Sequence, residues 1–139
     1  MPSKNPAQRL RDILENIDAI QSFTAGMDLD QFTRDRKTVY AVSRALEIIS
    51  EASRRLPEEM KERHPDIDWV AVAAAGNLYR HEYEAVNDAI LWRTVQHDLA
   101  PLLAAVTAEL DRCSTIVPAA QTAGLTATQR DAAKPSTRP

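Results

Sequence analysis

The chain has 139 residues, 44% of them apolar and 27% charged, with a formal net charge of −3. This composition fits one soluble domain, and the negative charge excludes a broad basic surface that captures nucleic acid by charge alone. The single cysteine, Cys113, can form no intrachain disulfide, and no Cys/His cluster indicates a metal site. A signal peptide and a run of about 20 apolar residues are both missing. We therefore predict a cytoplasmic protein with no metal, no cofactor and no membrane partner.

The N-terminal half of the chain predicts two helices. Pro6 suits the first turn of a helix to about Thr24, and Gly26 supplies its stop. Asp28, with a glutamine three residues later, forms a capping-box variant that opens a long helix over about residues 29–56. Its apolar side chains recur at heptad-like spacing: Phe32, Val39, Val42, Leu46, Ile49 and Leu56. A second apolar face beside this one predicts packing on both sides, including contact with a second copy of the chain.

The C-terminal half predicts shorter helices. One follows Pro57, and either Asp66 or Asp68 caps the next. Asn87 is the predicted N-cap of a further helix, and Pro101 marks a break before the last one. No strand pattern is present.

These elements predict an all-α fold, an antiparallel bundle of four to five helices over residues 1–113. Residues 114–139 are rich in Ala, Thr, Pro and Gln without periodicity, which predicts a disordered tail. Trp69 and Trp92 are expected as core or interface anchors, because large aromatic side chains dominate such contacts.

One short stretch concentrates the chemically versatile side chains. Residues 76–83, here called the polar segment, read Gly-Asn-Leu-Tyr-Arg-His-Glu-Tyr. His81 can act as a general acid or base near neutral pH, and Arg80 suits a bidentate grip on phosphate. Asn77 lies four residues before His81, which on an α-helix places both on one face. Together they could support metal-free RNA cleavage, in which a base takes the proton of the 2′-hydroxyl.

Structural interpretations stand beside these functional ones. His81 could be a cap or surface residue, and Asn77 could be a packing or capping partner of its neighbouring glycine. A polar stripe on the second helix could be a solvated face with helical ion pairs, or it could line a cleft that holds Arg80 or RNA. The stripe consists of Tyr40, Arg44, Glu47 and Glu51.

Three blocks of sequence resemble the HEPN superfamily and, within it, the HepT-like group. The first is Pro-Asp-Ile-Asp-Trp at residues 65–69, set just before the polar segment. The second is residues 41–52, in which Ser50 stands where the group usually has glycine. The third begins with Ile-Leu-Trp at residues 90–92. At matching spacing, the three blocks extend the resemblance over about residues 9–112.

The resemblance implies a toxin of a bacterial toxin–antitoxin pair, a metal-independent endoribonuclease. It also implies a symmetric homodimer whose cleft joins two arginine–histidine motifs. His81 matches the motif histidine, and Asn77 matches its polar neighbour. Tyr83 matches a tyrosine that receives AMP from the cognate nucleotidyltransferase antitoxin.

The motif arginine is displaced in this chain. It should fall at residues 74–76, which are Ala74, Ala75 and Gly76. On an α-helix Arg80 would lie one turn beyond Gly76, about 6 Å along the axis. Helical side chains lean toward the N-terminus, so we predict that Arg80 reaches back and supplies the missing charge. The alternative is a catalytically inactive binding module that partners a nucleotidyltransferase.

Overall fold

The computed structural model describes residues 5–80 and 84–114, and helices account for nearly all of them. The elements, in chain order, are α1 (Pro6–Thr24), α2 (Leu29–Arg34), α3 (Arg36–Arg54), α4 (Glu58–Glu62), α5 (Trp69–Ala74), a 3-10 helix (Ala75–Arg80), α6 (Glu84–His97) and α7, described over residues 99–114. The described ranges contain no strand, so the predicted all-α fold is confirmed. None of the described helices is long and apolar enough to cross a membrane. The predicted tail, apart from Ser114, lies outside the described residues.

The core forms chiefly where α1 packs on α3. The predicted apolar face of the second helical region is buried at every position. Phe32 of α2 meets Trp92 of α6, with ring centroids 5.2 Å apart, so Trp92 is the expected anchor. Each fully buried large apolar side chain, such as Phe32, stabilises the fold by about 1.5–3 kcal/mol. The large buried core side chains that α1 and α3 contribute are Leu10, Ile13, Ile17, Ile20, Val39, Val42, Leu46 and Ile49.

The predicted caps at the N-terminal end are confirmed. Pro6 stands in the first turn of α1, and Gly26 follows the helix with a φ of 76°, a conformation that favours glycine. The capping box at α2 is reciprocal. The Gln31 N–H donates to Asp28 Oδ1 at 2.8 Å, and the Asp28 N–H donates to Gln31 Oε1 at 2.9 Å. These ends are local features, readable from a few consecutive residues.

The prediction of a single long helix over residues 29–56 was wrong, because the helix is interrupted at Asp35. The Asp35 N–H closes α2 on the carbonyls of Gln31 and Phe32. Its carboxylate accepts the Thr38 N–H at 3.2 Å and the Thr38 hydroxyl at 2.8 Å, which caps α3. These hydrogen bonds from Thr38 also hold the pKa of Asp35 below its ordinary value. One residue therefore ends one helix and starts the next while the apolar face continues across the break.

Three further predictions in the C-terminal half have different outcomes. Asp68 caps α5 by accepting the Ala71 N–H at 3.1 Å, which decides between the two predicted aspartates. Asn87 is not an N-cap. It lies inside α6, which already begins at Glu84, and it is 7% exposed. The predicted break before Pro101 is confirmed, since a turn at residue 98 separates α6 from α7.

A buried carboxylate ties α7 to the end of α4. Glu109, with 4% of its side chain exposed, accepts two hydrogen bonds from Arg63, at 2.7 and 3.1 Å. It also lies 2.7 Å from Nε2 of His64. The sequence offered His64 no partner, because Glu109 lies 45 residues away. The nearby Trp69 indole donates to the carbonyls of Lys61 and His64, which makes Trp69 an anchor of this corner.

We expect Glu109→Gln to lower the free energy of unfolding at pH 7 by about 2 kcal/mol, the scale of hydrogen bonds to a charged group. The hydrogen bond from Arg63, followed by that from His64, holds the pKa of Glu109 below its ordinary value despite burial. The carboxylate therefore stabilises the fold above about pH 4.3, the ordinary glutamate pKa, and the contribution is lost as pH falls through the folded-state pKa.

Thermal unfolding from pH 7 to pH 3 checks this expectation. The gap between wild type and Glu109→Gln should be widest at neutral pH and should close in acid. The matched control is Glu58→Gln, because the Glu58 side chain is 83% exposed and 4.0 Å from Lys61. A gap that persists unchanged at pH 3 would contradict the role given to the Glu109 carboxylate.

Candidate functional site

The end of α5 and the start of the polar segment lie along α3 in the opposite direction. From Ala73 to Gly76, later residues meet earlier residues of α3. Arg54 donates to the carbonyl of Ala73, whereas Ser50 and the backbone of Glu47 contact Gly76. Helix α3 is therefore the platform that positions the start of the polar segment.

The Ser50 hydroxyl takes over a main-chain hydrogen bond of α5. In a continued α-helix the Gly76 N–H would donate to the Val72 carbonyl. Here the Gly76 N–H donates to Ser50 Oγ at 2.9 Å, and Ser50 Oγ donates to the Val72 carbonyl at 2.8 Å. The Ala75 N–H also donates to the Val72 carbonyl, three residues earlier in the chain. A side chain inserted in this way ends an α-helix, and the chain continues as a 3-10 helix over Ala75–Arg80.

The prediction that Gly76 and Arg80 share one α-helical face was wrong for this reason. A 3-10 helix rises about 2.0 Å per residue with about three residues per turn. Four residues then advance about 8 Å and rotate about 120°, whereas an α-helix advances about 6 Å and rotates about 40°. Only the main chain of Arg80 is described. The catalytic role of Arg80 stays a prediction, without the helical geometry first used to support it.

Gly76 is required by a close approach of two backbones. A Cβ added there would lie 2.8 Å from the Glu47 Cα and 3.0 Å from Ser50 Oγ. The same contact leaves no room for an arginine at residue 76. The other two positions expected for the motif arginine are both alanines. Ala74 is exposed and Ala75 is half-buried.

Among the predicted site residues, Asn77 is placed on the exposed side of the 3-10 helix. His81 and Tyr83 lie outside the described residues. The structure therefore shows Asn77 beside the Gly76 contact, and the grouping of Asn77 with Arg80 and His81 stays a prediction.

The polar stripe of α3 carries helical ion pairs. Arg44 binds Glu47 at 3.1 Å, and the Arg44 side chain is 72% exposed. Glu51 accepts from Arg55 at 2.7 Å and from Arg54 at 3.2 Å, and these bonds hold its pKa below the ordinary value. Exposed pairs of this kind add little stability. The stripe nevertheless borders the start of the polar segment, because the backbone of Glu47 contacts Gly76.

Arg36 joins α3 to α6. Its guanidinium lies 2.9 Å from Asp88 Oδ2, and the Asp88 side chain is 1% exposed. The same guanidinium lies 5.4 Å from the centroid of the Tyr40 ring. Sequence reasoning missed this pair because 52 residues separate its members. The pair fixes the first half of α6, the helix that follows the polar segment.

A groove of about 540 Å³ opens between α5, α6 and α7. Ala74 and Ala75 line it on one side, and Ile90 and Leu102 line it on the other. Three carboxylates, Asp66, Asp68 and Asp98, also line it. Over the described ranges, no group of three or more His, Cys, Asp or Glu side chains is placed to hold a metal ion.

The helical bundle, with the 3-10 helix Ala75–Arg80 packed on α3, has the architecture of the HEPN-type all-α class. Comparison with known families is more specific. The family model described as "Ribonuclease HepT-like" matches residues 13–109. The chain therefore belongs to the HepT-like ribonuclease family.

Curated relatives agree with this assignment. "Probable ribonuclease HepT" of Thermococcus cleftensis is 42% identical over 93 residues, 67% of this chain and 84% of that protein. A Methanocaldococcus jannaschii protein is 40% identical, over 68% of this chain and 78% of its own length. A Caldanaerobacter subterraneus subsp. tengcongensis protein is 32% identical, over 71% and 88%. The names of the latter two contain the word RNase. No solved structure matches the chain significantly.

Proposed function

We propose that this chain is a metal-independent endoribonuclease, the toxin of a toxin–antitoxin pair acting in the cytoplasm. Two copies would form the cleft that binds RNA, and a nucleotidyltransferase antitoxin would neutralise the dimer. The observation that carries the proposal is the family match over residues 13–109, together with relatives named as ribonucleases. The spacing of His81 from the Asp-Trp block supports it from the sequence side.

The proposed reaction is an internal displacement at phosphorus. A base takes the proton of the 2′-hydroxyl, the 2′-oxygen bonds to phosphorus, and the bond to the 5′-oxygen breaks as that oxygen gains a proton. His81 acts as the base or as the acid. Arg80 and Asn77 stabilise the charge on the phosphoryl oxygens. The products are a 2′,3′-cyclic phosphate and a 5′-hydroxyl, and the reaction needs no metal.

Arg80→Ala should reduce cleavage about 10²–10³-fold, the usual cost of removing one group that stabilises charge in the transition state. The measurement is the single-turnover rate on a labelled RNA. Arg11→Ala is the control, since Arg11 is exposed on α1 and bonds only Gln8 among the described hydrogen bonds. An active Arg80→Ala protein would show that Arg80 does not replace the motif arginine.

A second candidate function rests on a specific observation, since no arginine stands at residues 74–76 and Gly76 has no room for one. The chain would then be an inactive module that binds a nucleotidyltransferase. An inert wild type that binds such a partner tightly would favour the module. AMP on Tyr83, seen as an intact-mass increment, would support the partnership under either function.

A further inference from the structure

We propose that Ser50 is a positioning residue, which sets the 3-10 conformation of residues 75–80 and on which RNA cleavage depends. The conformational part stands on the hydrogen bonds around Ser50. The part about cleavage rests on the proposed function.

The contact is built for this role. Ser50 is 1% exposed, so water does not compete for its hydroxyl. The hydroxyl uses both of its capacities, because it accepts from the Gly76 N–H and donates to the Val72 carbonyl. Buried main-chain groups need such partners, since leaving one unpaired costs about 1–3 kcal/mol. Ser50 therefore satisfies the Gly76 N–H and adds a second donor to the Val72 carbonyl, while it holds the two groups apart.

Local preference alone would continue the α-helix. Residues 73–75 are three alanines, the residue with the highest helix propensity. Without the serine hydroxyl, the Val72 carbonyl and the Gly76 N–H can pair directly and extend α5. Ser50→Ala should consequently cost little stability while it changes the path of the chain after Gly76.

That change of path is large on the scale of a reacting site. Between the two helix types, the residue four positions after Gly76 shifts by about 2 Å along the axis and rotates by about 80°. A displacement of about 1 Å can cost about 100-fold in rate. Ser50 thus acts on the reaction through the main chain rather than by touching RNA.

Two departures from the family pattern meet in this one contact. Ser50 stands where the HepT-like group usually has glycine, and glycine carries no hydroxyl to insert. Gly76 is one of the three positions where the motif arginine is expected, and a Cβ there would lie 3.0 Å from Ser50 Oγ. The serine and the glycine fit each other, so each departure accounts for part of the other.

Nuclear magnetic resonance tests the conformational part without an activity assay. The chain has only three glycines, Gly26, Gly76 and Gly124, and glycine amides are readily assigned by substitution. We expect Ser50→Ala and Ser50→Gly to shift the Gly76 amide resonance and to move the Cα shifts of residues 75–80 toward α-helical values. Using two variants keeps the test valid if one of them folds poorly.

Cleavage kinetics test the functional part. The single-turnover rate at saturating RNA should fall about 100-fold in both Ser50 variants, with KM little changed. Ser53→Ala is a matched control. Ser53 is also 1% exposed and one turn along α3, but its hydroxyl bonds the Ser50 carbonyl within the same helix. Ser53→Ala should leave the spectrum of residues 75–80 and the rate unchanged.

The outcomes separate the two proposals. Unchanged Gly76 and Cα shifts in both Ser50 variants would overturn the inference, as would full cleavage by a variant whose shifts have moved. A wild type that cleaves no RNA would overturn the proposed function and the dependence of cleavage on Ser50. The spectra would then still decide whether Ser50 sets the conformation.

Discussion

His81→Ala is expected to lose RNA cleavage by about 10²–10⁴-fold, the range that general acid–base catalysis contributes. Histidine exchanges a proton near neutral pH, which suits it to take the proton of the 2′-hydroxyl or to protonate the leaving oxygen. Arginine and asparagine cannot do this near neutral pH, so Arg80 and Asn77 could not compensate for the loss. Single-turnover cleavage of a labelled RNA measures the effect.

His97→Ala is the matched control for this prediction. His97 is exposed in the last turn of α6. His64 would be a poor control, because it binds the buried Glu109 and its loss would disturb the fold. The assignment of His81 fails if His81→Ala and His97→Ala cleave RNA equally fast.

Gly76→Ala is expected to lower the free energy of unfolding by about 1–3 kcal/mol, the usual cost of forcing extra atoms into a packed contact. The new Cβ would lie 2.8 Å from the Glu47 Cα, a backbone atom that cannot move without shifting α3. The nearby Ser50 hydroxyl, 3.0 Å away, would be displaced as well. Chemical denaturation of wild type and variant gives the difference directly.

Ala74→Arg is the comparison variant for Gly76→Ala. Ala74 is exposed, so a long side chain there should change stability by no more than about 0.5 kcal/mol. Gly76→Arg, by contrast, should destabilise the fold more than Gly76→Ala, because it adds further atoms at the same close contact. Equal stability of Gly76→Ala and wild type would mean that α3 and the polar segment do not approach as closely as the structure shows.

Features set by neighbouring residues were predictable from the sequence. The stop at Gly26 and the capping box at Asp28 each depend on a few consecutive residues. So does the cap of α5, for which the sequence left Asp66 and Asp68 open. The apolar face of α3 was equally readable, because burial imposes a helical period on the sequence. These features establish the all-α fold and most of its core.

The features that shape the candidate site come from distant partners. The Ala-rich sequence before Gly76 favours an α-helix. No neighbouring residue indicates that Ser50, 22 residues before Val72, ends this helix. The break at Asp35 was hidden because the apolar face continues across it. Asn87 was misplaced because a residue type that caps helices can also be buried within one.

The main-chain path at the candidate site was not predictable from local sequence, and the roles of its residues stay predictions. The family resemblance predicts His81, Asn77 and Arg80 as site residues. The α-helical spacing expected between Gly76 and Arg80 does not apply, because the chain forms a 3-10 helix there. Relative to Gly76, the main chain of Arg80 therefore lies in a different direction around the helix axis from the one that α-helical periodicity predicts.

The most direct test of the central claim is cleavage of a labelled RNA by the purified chain in excess EDTA, with His81→Ala alongside. Wild type should cleave at an undiminished rate and leave 2′,3′-cyclic phosphate ends, while His81→Ala leaves the RNA intact. Absence of cleavage by wild type, or equal cleavage by both proteins, would contradict the assignment of this chain as a histidine-dependent, metal-independent ribonuclease.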